Sequence, residues 1–229
     1  MPATSCFWNL CGPKSLRKLA EWVDDAMDLE QVVCPIDPGH RRGGKRLTDL
    51  SICLPGGTVQ DFVWTWYSEC LIQDHVLDLF RRESFTGFDV KPVKARFKSG
   101  TAEPPKLWEL VLTGWAGPAK PESGVRRVQY CEACRDATYS EVTDGSQLID
   151  ASQWDGSDFF MIWPMPGLIF VTDRVAECIR AQRLTGTVLK HVHELTGFGE
   201  GGLGGGRLSD WMSEARAREL GEAAGIAEI

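Results

Sequence analysis

The chain has 229 residues, 43% of them hydrophobic and 25% charged, and a formal net charge of −7. This length buries a core without disulfide support and predicts one large domain or two small ones. The acidic balance argues against non-specific nucleic-acid binding, which needs lysine and arginine to neutralise phosphate.

No apolar run is long enough for a membrane span. No basic-then-apolar leader opens the sequence, so the cytoplasm is the expected location. There, the eight cysteines point to thiols or metal ligands rather than disulfides. Of the nine tryptophans, most are expected in the core, with one or two serving as interface anchors.

Residues 15–27, SLRKLAEWVDDAM, predict an amphipathic helix with Leu16, Leu19, Trp22, Val23 and Met27 on one face and Ser15 as cap. Residues 32–46, VVCPIDPGHRRGGKR, predict a loop with two prolines and three glycines that carries Cys34 and His40. LTDLSICLP then reads as a strand with Leu50, Ile52 and Leu54 on one side.

An internal repeat follows. Phe62 to Ala95 aligns without gaps onto Met161 to Glu194, matching Trp64 with Trp163, Asp74 with Asp173, Arg81 with Arg180 and Thr86-Gly87 with Thr185-Gly186. Each copy predicts strand, extended segment, helix, Thr-Gly turn and strand, with Asp74 or Asp173 as helix cap. Between the copies, Leu107–Thr113, Val125–Tyr130 and Thr138–Val142 are β-rich. The last two flank Cys131-Glu132-Ala133-Cys134 and predict a knuckle-like hairpin. His191 and His193 are expected to alternate on one strand face. Residues 197–206 hold seven glycines in ten positions and predict a flexible linker or flap. A final helix is expected at about 208–220, starting at Ser209, either docking back or exchanging with a partner.

C-x-x-C on a tight turn places two sulfurs on one tetrahedral metal, and zinc takes four ligands drawn from cysteine and histidine. Cys131 and Cys134 supply two, and the Pro/Gly loop offers Cys34 and His40, with Asp37 as an alternative oxygen ligand. The competing reading is a pair of ordinary thiols. A redox C-x-x-C fits less well, because that motif opens a helix and EACRDATYS does not read as one. Cys70 and Cys178 read as core thiols, while Cys6, Cys11 and Cys53 have no partner in sequence.

Four protein ligands close the shell and make the ion a staple. Three would leave an open position, with Asp37 or Glu132 as a base for hydrolysis. No H-E-x-x-H or G-x-S-x-G motif is present, so no catalytic residue is assigned. The segment QWDGSDFF has two readings. Trp154, Asp155 and Asp158 form a partner-binding loop, or Asp155-Gly156 closes a structural turn with Trp154 in the core.

The stretch LTGWAGPAKPESGVRRVQYCEAC, followed by QLIDASQWDGSDFFMIWPMPGLIFVTDRVAECI, resembles the double-CxxCG motif proteins over roughly residues 32–195. These are known chiefly from myxobacteria, and some are immunity proteins against contact-delivered toxins. The resemblance implies a four-cysteine metal site. The first motif corresponds to Cys34-Pro35-Ile36-Asp37, where the second cysteine is lost. The second corresponds to Cys131 to Arg135, where arginine replaces glycine. His40 is the expected substitute for the missing thiolate.

The reading is therefore an α+β fold with two similar strand–helix–strand lobes joined by a zinc-knuckle-like β-hairpin. Its expected boundaries are 1–106, 107–196 and 197–229. The expected function is a cytoplasmic, non-enzymatic immunity protein that binds a cognate toxin and carries structural zinc at Cys34, His40, Cys131 and Cys134. The rivals are a metal-dependent enzyme with an open site and a zinc-stabilised scaffold or regulator.

Overall fold

The computed structural model describes residues 6–13, 15, 18–23, 27–99, 102–199 and 202–229. Five strands come first: β1 (Phe7–Cys11), β2 (Glu21–Trp22), β3 (Leu29–Val33), β4 (Arg41–Arg46) and β5 (Ser51–Leu54). The first repeat forms β6 (Phe62–Trp64), β7 (Cys70–Gln73), α1 (Asp74–Arg82) and β8 (Phe88–Pro92). Next come β9 (Lys94–Phe97), β10 (Leu107–Leu112), β11 (Trp115–Pro118), β12 (Arg127–Tyr130) and β13 (Ala137–Tyr139). The second repeat forms β14 (Phe159–Trp163), β15 (Ile169–Thr172), α2 (Asp173–Ala181) and β16 (Val188–His191), and α3 (Glu214–Ala224) follows. The fold class is α+β, as expected. No described helix is long and apolar enough to cross a membrane.

Both repeats build the same sheet. The first runs β6-β7-β10-β8, and the second runs β14-β15-β1-β16 with β11 added beside β14. In each, the strand between the hairpin and the post-helix strand comes from elsewhere in the chain. β10, which begins at the boundary expected after residue 106, enters the first sheet, and β1 enters the second. Both carry an equivalent tryptophan. Trp108 Nε1 donates to Asp74 Oδ1 at 2.7 Å, and Trp8 Nε1 donates to Asp173 Oδ1 at 2.6 Å. Asp74 and Asp173 are therefore the first helical residues rather than caps. The cap positions are Gln73 and Thr172, neither of which makes a side-chain cap bond.

The two units clamp each other reciprocally. Asp158 accepts from the Thr86 amide at 3.0 Å, and Asp61 accepts from the Thr185 amide at 2.6 Å. The Phe159 amide donates to the Thr86 carbonyl at 3.0 Å, and the Phe62 amide donates to the Thr185 carbonyl at 2.9 Å. The Thr-Gly turns are needed for this approach. Gly87 (φ 84°) and Gly186 (φ 89°) are left-handed, and a Cβ on either would run into the carbonyl oxygen of Phe159 or Phe62. The buried Phe62, Phe80, Phe159 and Ile179 belong to one core shared by both units.

Strand register corrects the gapless alignment at its start. Phe62 lies opposite Ile72, ten residues on, whereas Phe159 lies opposite Val171, twelve residues on. The second hairpin connection is thus two residues longer, and Trp64 takes the place of Met161 rather than of Trp163.

Three other expectations are corrected. The helix at 15–27 is not formed at its centre. Ala20 bridges Thr65, and Glu21–Trp22 pair with β5; residues 16, 17 and 24–26 of that expectation lie outside the described residues. The C-terminal helix starts at Glu214, with Ser213 Oγ accepting from the Arg216 amide, and Leu208–Asp210 form a separate 3₁₀ turn. In the glycine-rich stretch, Phe198 bridges Val142 and Leu203 bridges Tyr139, so its described part is docked on the body; Glu200 and Gly201 lie outside the described residues.

Candidate metal centre

Two hairpins present the candidate ligands. β3 and β4 pair antiparallel, so most of the stretch expected as a loop is strand, and only residues 34–40 form its tip. Pro35 and Pro38 restrict φ there. The Cys34 amide donates to the His40 carbonyl at 3.2 Å, the His40 amide to the Asp37 carbonyl at 3.0 Å, and the Asp37 amide to Cys34 Sγ at 3.3 Å. β12 and β13 form the second hairpin. Its tip closes through Cys131 N–H to the Asp136 carbonyl at 2.8 Å and Arg135 N–H to the Cys131 carbonyl at 2.7 Å. Arg135 sits at φ 57°, the left-handed conformation that glycine adopts without strain. The arginine thus stands where the resembled motif has its glycine.

The tips face each other. Cys34 Sγ lies 3.7 Å from Cys131 Sγ, and Cys134 Sγ lies 3.9 Å from His40 Nδ1. One ligand atom from each of the four residues lies within 4.8 Å of all the others. This donor set fits a metal ion. Four-coordinate thiolate bonds of about 2.3 Å in tetrahedral array separate neighbouring sulfurs by about 3.8 Å. The other ring nitrogen, His40 Nε2, lies 3.4 Å from Asp37 Oδ2, the arrangement by which a carboxylate orients a ligating imidazole. Asp37 therefore stands behind His40 rather than replacing it.

The local dipoles favour a charged sulfur. The amide of Cys134, then the His40 side chain and the Ala133 amide, pull the Cys131 thiol down to about 6. Burial pushes the Cys134 thiol up to about 11. Hydrogen bonding to Cys131 and Cys34 holds His40 above the usual histidine value. A metal cation bound there would take the place of protons on the sulfurs and on the ring, so binding would release protons.

A polar network absent from the sequence reading surrounds the tips. Arg42, two residues after His40, lies 3.5 Å from Asp136, two residues after Cys134, and 2.8 Å from Asp210. Arg207 pairs with Glu30 at 2.9 Å and with Asp210 at 3.2 Å. Arg42 thus joins both ligand hairpins to the C-terminal segment. The alternation of RRGGKR, with Arg42 and Arg46 on one face of β4, was the available signal.

The QWDGSDFF segment is internally engaged. Trp154 is half-buried against Phe7 (centroids 5.1 Å), and its Nε1 donates to the Ser157 carbonyl at 3.0 Å. Asp155 Oδ2 accepts from the Trp115 amide at 2.9 Å and Oδ1 from the Ser157 amide at 3.0 Å. Asp158 is 5% exposed and binds Thr86, Thr172 and Arg174. All three lie in one closed turn, through which Asp158 locks the second unit onto the first at Thr86. His191 ends β16 and His193 lies in the following 3₁₀ turn; their rings are neighbours at 4.1 Å, but not through strand alternation. Cys70 is a core thiol at 2% exposure, and Cys178 packs half-buried at the edge of the same core.

Comparison with protein-family models finds no match to this chain, and no curated protein matches it.

Proposed function

We propose that the chain is a zinc-stapled, non-enzymatic protein-binding module: an immunity protein of the reducing cytoplasm that neutralises a cognate toxin by covering it. The observation that carries the staple is the convergence of Cys34 and His40 from one hairpin with Cys131 and Cys134 from another. Zinc bound there would cross-link the two hairpins with its coordination shell filled by protein, which leaves no position for an activated water. His40 is held for that role by Asp37, Cys34 Sγ by the Asp37 amide, and both tips by Arg42.

The partner half of the proposal rests on the motif resemblance at Cys131–Cys134 and the QWDGSDFF segment. The net charge of −7 supports it, since an acidic surface suits a basic partner.

Two measurements test the halves separately. Metal analysis of the purified chain is expected to find one zinc per molecule, lost in Cys131→Ser; metal-free protein that melts identically with and without chelator would sink the staple. The reading frame adjacent to this chain's gene is expected to arrest growth when expressed alone and to be neutral when co-expressed with this chain. Arrest that persists during co-expression would remove the immunity reading and leave the staple intact.

A further inference from the structure

The connection between β6 and β7 displays two adjacent aromatic side chains to solvent: Trp66 is 51% exposed and Tyr67 65%. Trp22, from β2, lies against Tyr67 with ring centroids 3.9 Å apart. The tip is rigidly built. The Thr65 amide donates to the Glu69 carbonyl at 3.1 Å, and the Ser68 amide donates to the Thr65 carbonyl at 3.2 Å. The amides of Tyr67 and Glu69 both donate to Thr65 Oγ1, at 3.1 and 3.2 Å. Ser68 is held at φ 72°, a conformation that a non-glycine residue adopts at a cost and keeps only where its surroundings impose it.

The corresponding tip of the second unit is covered. Met165 and Trp163 there are 4% and 2% exposed, and Gly205 of the C-terminal stretch packs so closely on Trp163 that a Cβ would lie 2.7 Å from its ring. Among the described residues, the C-terminal segment caps one tip, whereas at the other Trp66 and Tyr67 stay exposed.

Charge says what fits the exposed tip. Behind the rings, Glu69 accepts from Trp22 Nε1 at 3.2 Å and from the Thr65 hydroxyl. Its nearby cation, Arg46 at 4.0 Å, is bound more closely by Glu109. Glu109 also faces Lys91 across the sheet, so among the described residues Glu69 is left with the looser ion pair and its carboxylate is only partly neutralised. The three side chains are only 11–19% exposed, so water screens that charge weakly. Exposed π faces backed by a partly neutralised carboxylate attract a cation.

We propose that Trp22, Trp66 and Tyr67 form a docking surface for a cationic side chain, arginine above all, on a protein partner. Arginine fits best because its planar guanidinium stacks on aromatic faces and is weakly hydrated. This deepens the protein-binding reading above by naming the contact surface and the partner's chemistry.

The test uses the full chain and a capped Gly-Arg-Gly-Arg-Gly peptide, with the citrulline peptide as neutral isostere. Binding is followed by NMR of the indole N–H signals, assigned with single Trp→Phe variants. The signals of Trp22 and Trp66 are expected to shift saturably with the arginine peptide and not with the citrulline peptide. Tyr67→Ala is expected to weaken binding at least fivefold with an unchanged zinc content. Equal response to both peptides, shifts confined to other indoles, or a wild-type dimer that Trp66→Ala converts to monomer would each overturn the proposal. A chain that fails toxin rescue yet binds the arginine peptide at this tip loses the immunity reading and keeps this surface.

Discussion

Cys34 Sγ lies 3.7 Å from Cys131 Sγ although 97 residues separate them in the chain. A cross-link closing a loop of that length removes conformational freedom from the unfolded chain, worth about 4–5 kcal/mol by the loop-closure relation for disulfides. For a domain of this size each kcal/mol moves the melting temperature by roughly 2–4 °C. Chelation and Cys131→Ser are therefore each expected to lower it by about 10–15 °C. Scanning calorimetry of the variant with and without chelator checks the mechanism, because the two losses must not add. Additive losses would mean that the chelated ion sits elsewhere.

His40 and Asp37 are expected to separate the ligand from its support. His40→Ala leaves three thiolates and weakens zinc binding most, while His40→Cys keeps a four-ligand shell and one zinc per chain. Asp37→Ala keeps all four ligands and loses only the carboxylate 3.4 Å from His40 Nε2. Such supporting groups tune metal affinity by about 10–100-fold, so competition with a chromophoric chelator should show about a tenfold weaker site at unchanged stoichiometry. If Asp37→Ala bound as little zinc as His40→Ala, the carboxylate would be a ligand itself.

Arg135 tests the conformational part of the motif. Its φ of 57° costs a side-chain-bearing residue about 1 kcal/mol that glycine avoids. Its exposed hydrogen bond to the Ile229 carbonyl, at 2.7 Å, offsets only part of that. Arg135→Gly is expected to raise the melting temperature by about 1–3 °C and leave zinc content unchanged. A fall would show that the arginine's contact outweighs its strain.

In the Cys/His cluster, the C-x-x-C turn was legible because its signal is local; the joining to it of Cys34, across 97 residues, and of His40 was expected only from ligand count and the family resemblance. The helix expected at 15–27 was not borne out at its centre, because its three-and-four spacing of apolar residues was overruled by long-range pairing, with Ala20 bridging Thr65 and Trp22 pairing with Ile52. The repeat was legible where hairpin strand, helix and Thr-Gly turn run collinearly. Its central strand was hidden by chain order. Phe7-Trp8-Asn9-Leu10 precedes its own unit by far, whereas Leu107-Trp108-Glu109-Leu110 follows its unit, so no collinear alignment brings the two tryptophans together. For QWDGSDFF the sequence offered both a binding loop and a structural turn, and could not name the partners of Asp155 and Asp158, because the Trp115 and Thr86 amides lie 40 and 72 residues away.

The reciprocal clamps give a pH dependence through Asp61. Burial raises its pKa, but the hydroxyl and amide of Thr185, together with His75, more than offset that and hold it below the ordinary carboxylate value. A carboxylate whose folded pKa is depressed contributes stability that is fully present above its unfolded pKa, near about 4, and is lost as the pH falls through the folded value. Charge-assisted hydrogen bonds are worth about 1.5–3 kcal/mol when buried. Partial exposure of Asp61, at 21%, reduces this to about 1–2 kcal/mol at neutral pH. Asp61→Asn is therefore expected to be less stable than wild type by that amount at pH 7, with the two converging as the pH falls below the unfolded carboxylate value and through the lower folded one. Urea midpoints across the acid range measure the difference; a gap that stays constant as Asp61 is protonated would show that its carboxylate makes no charge-dependent contribution to the clamp.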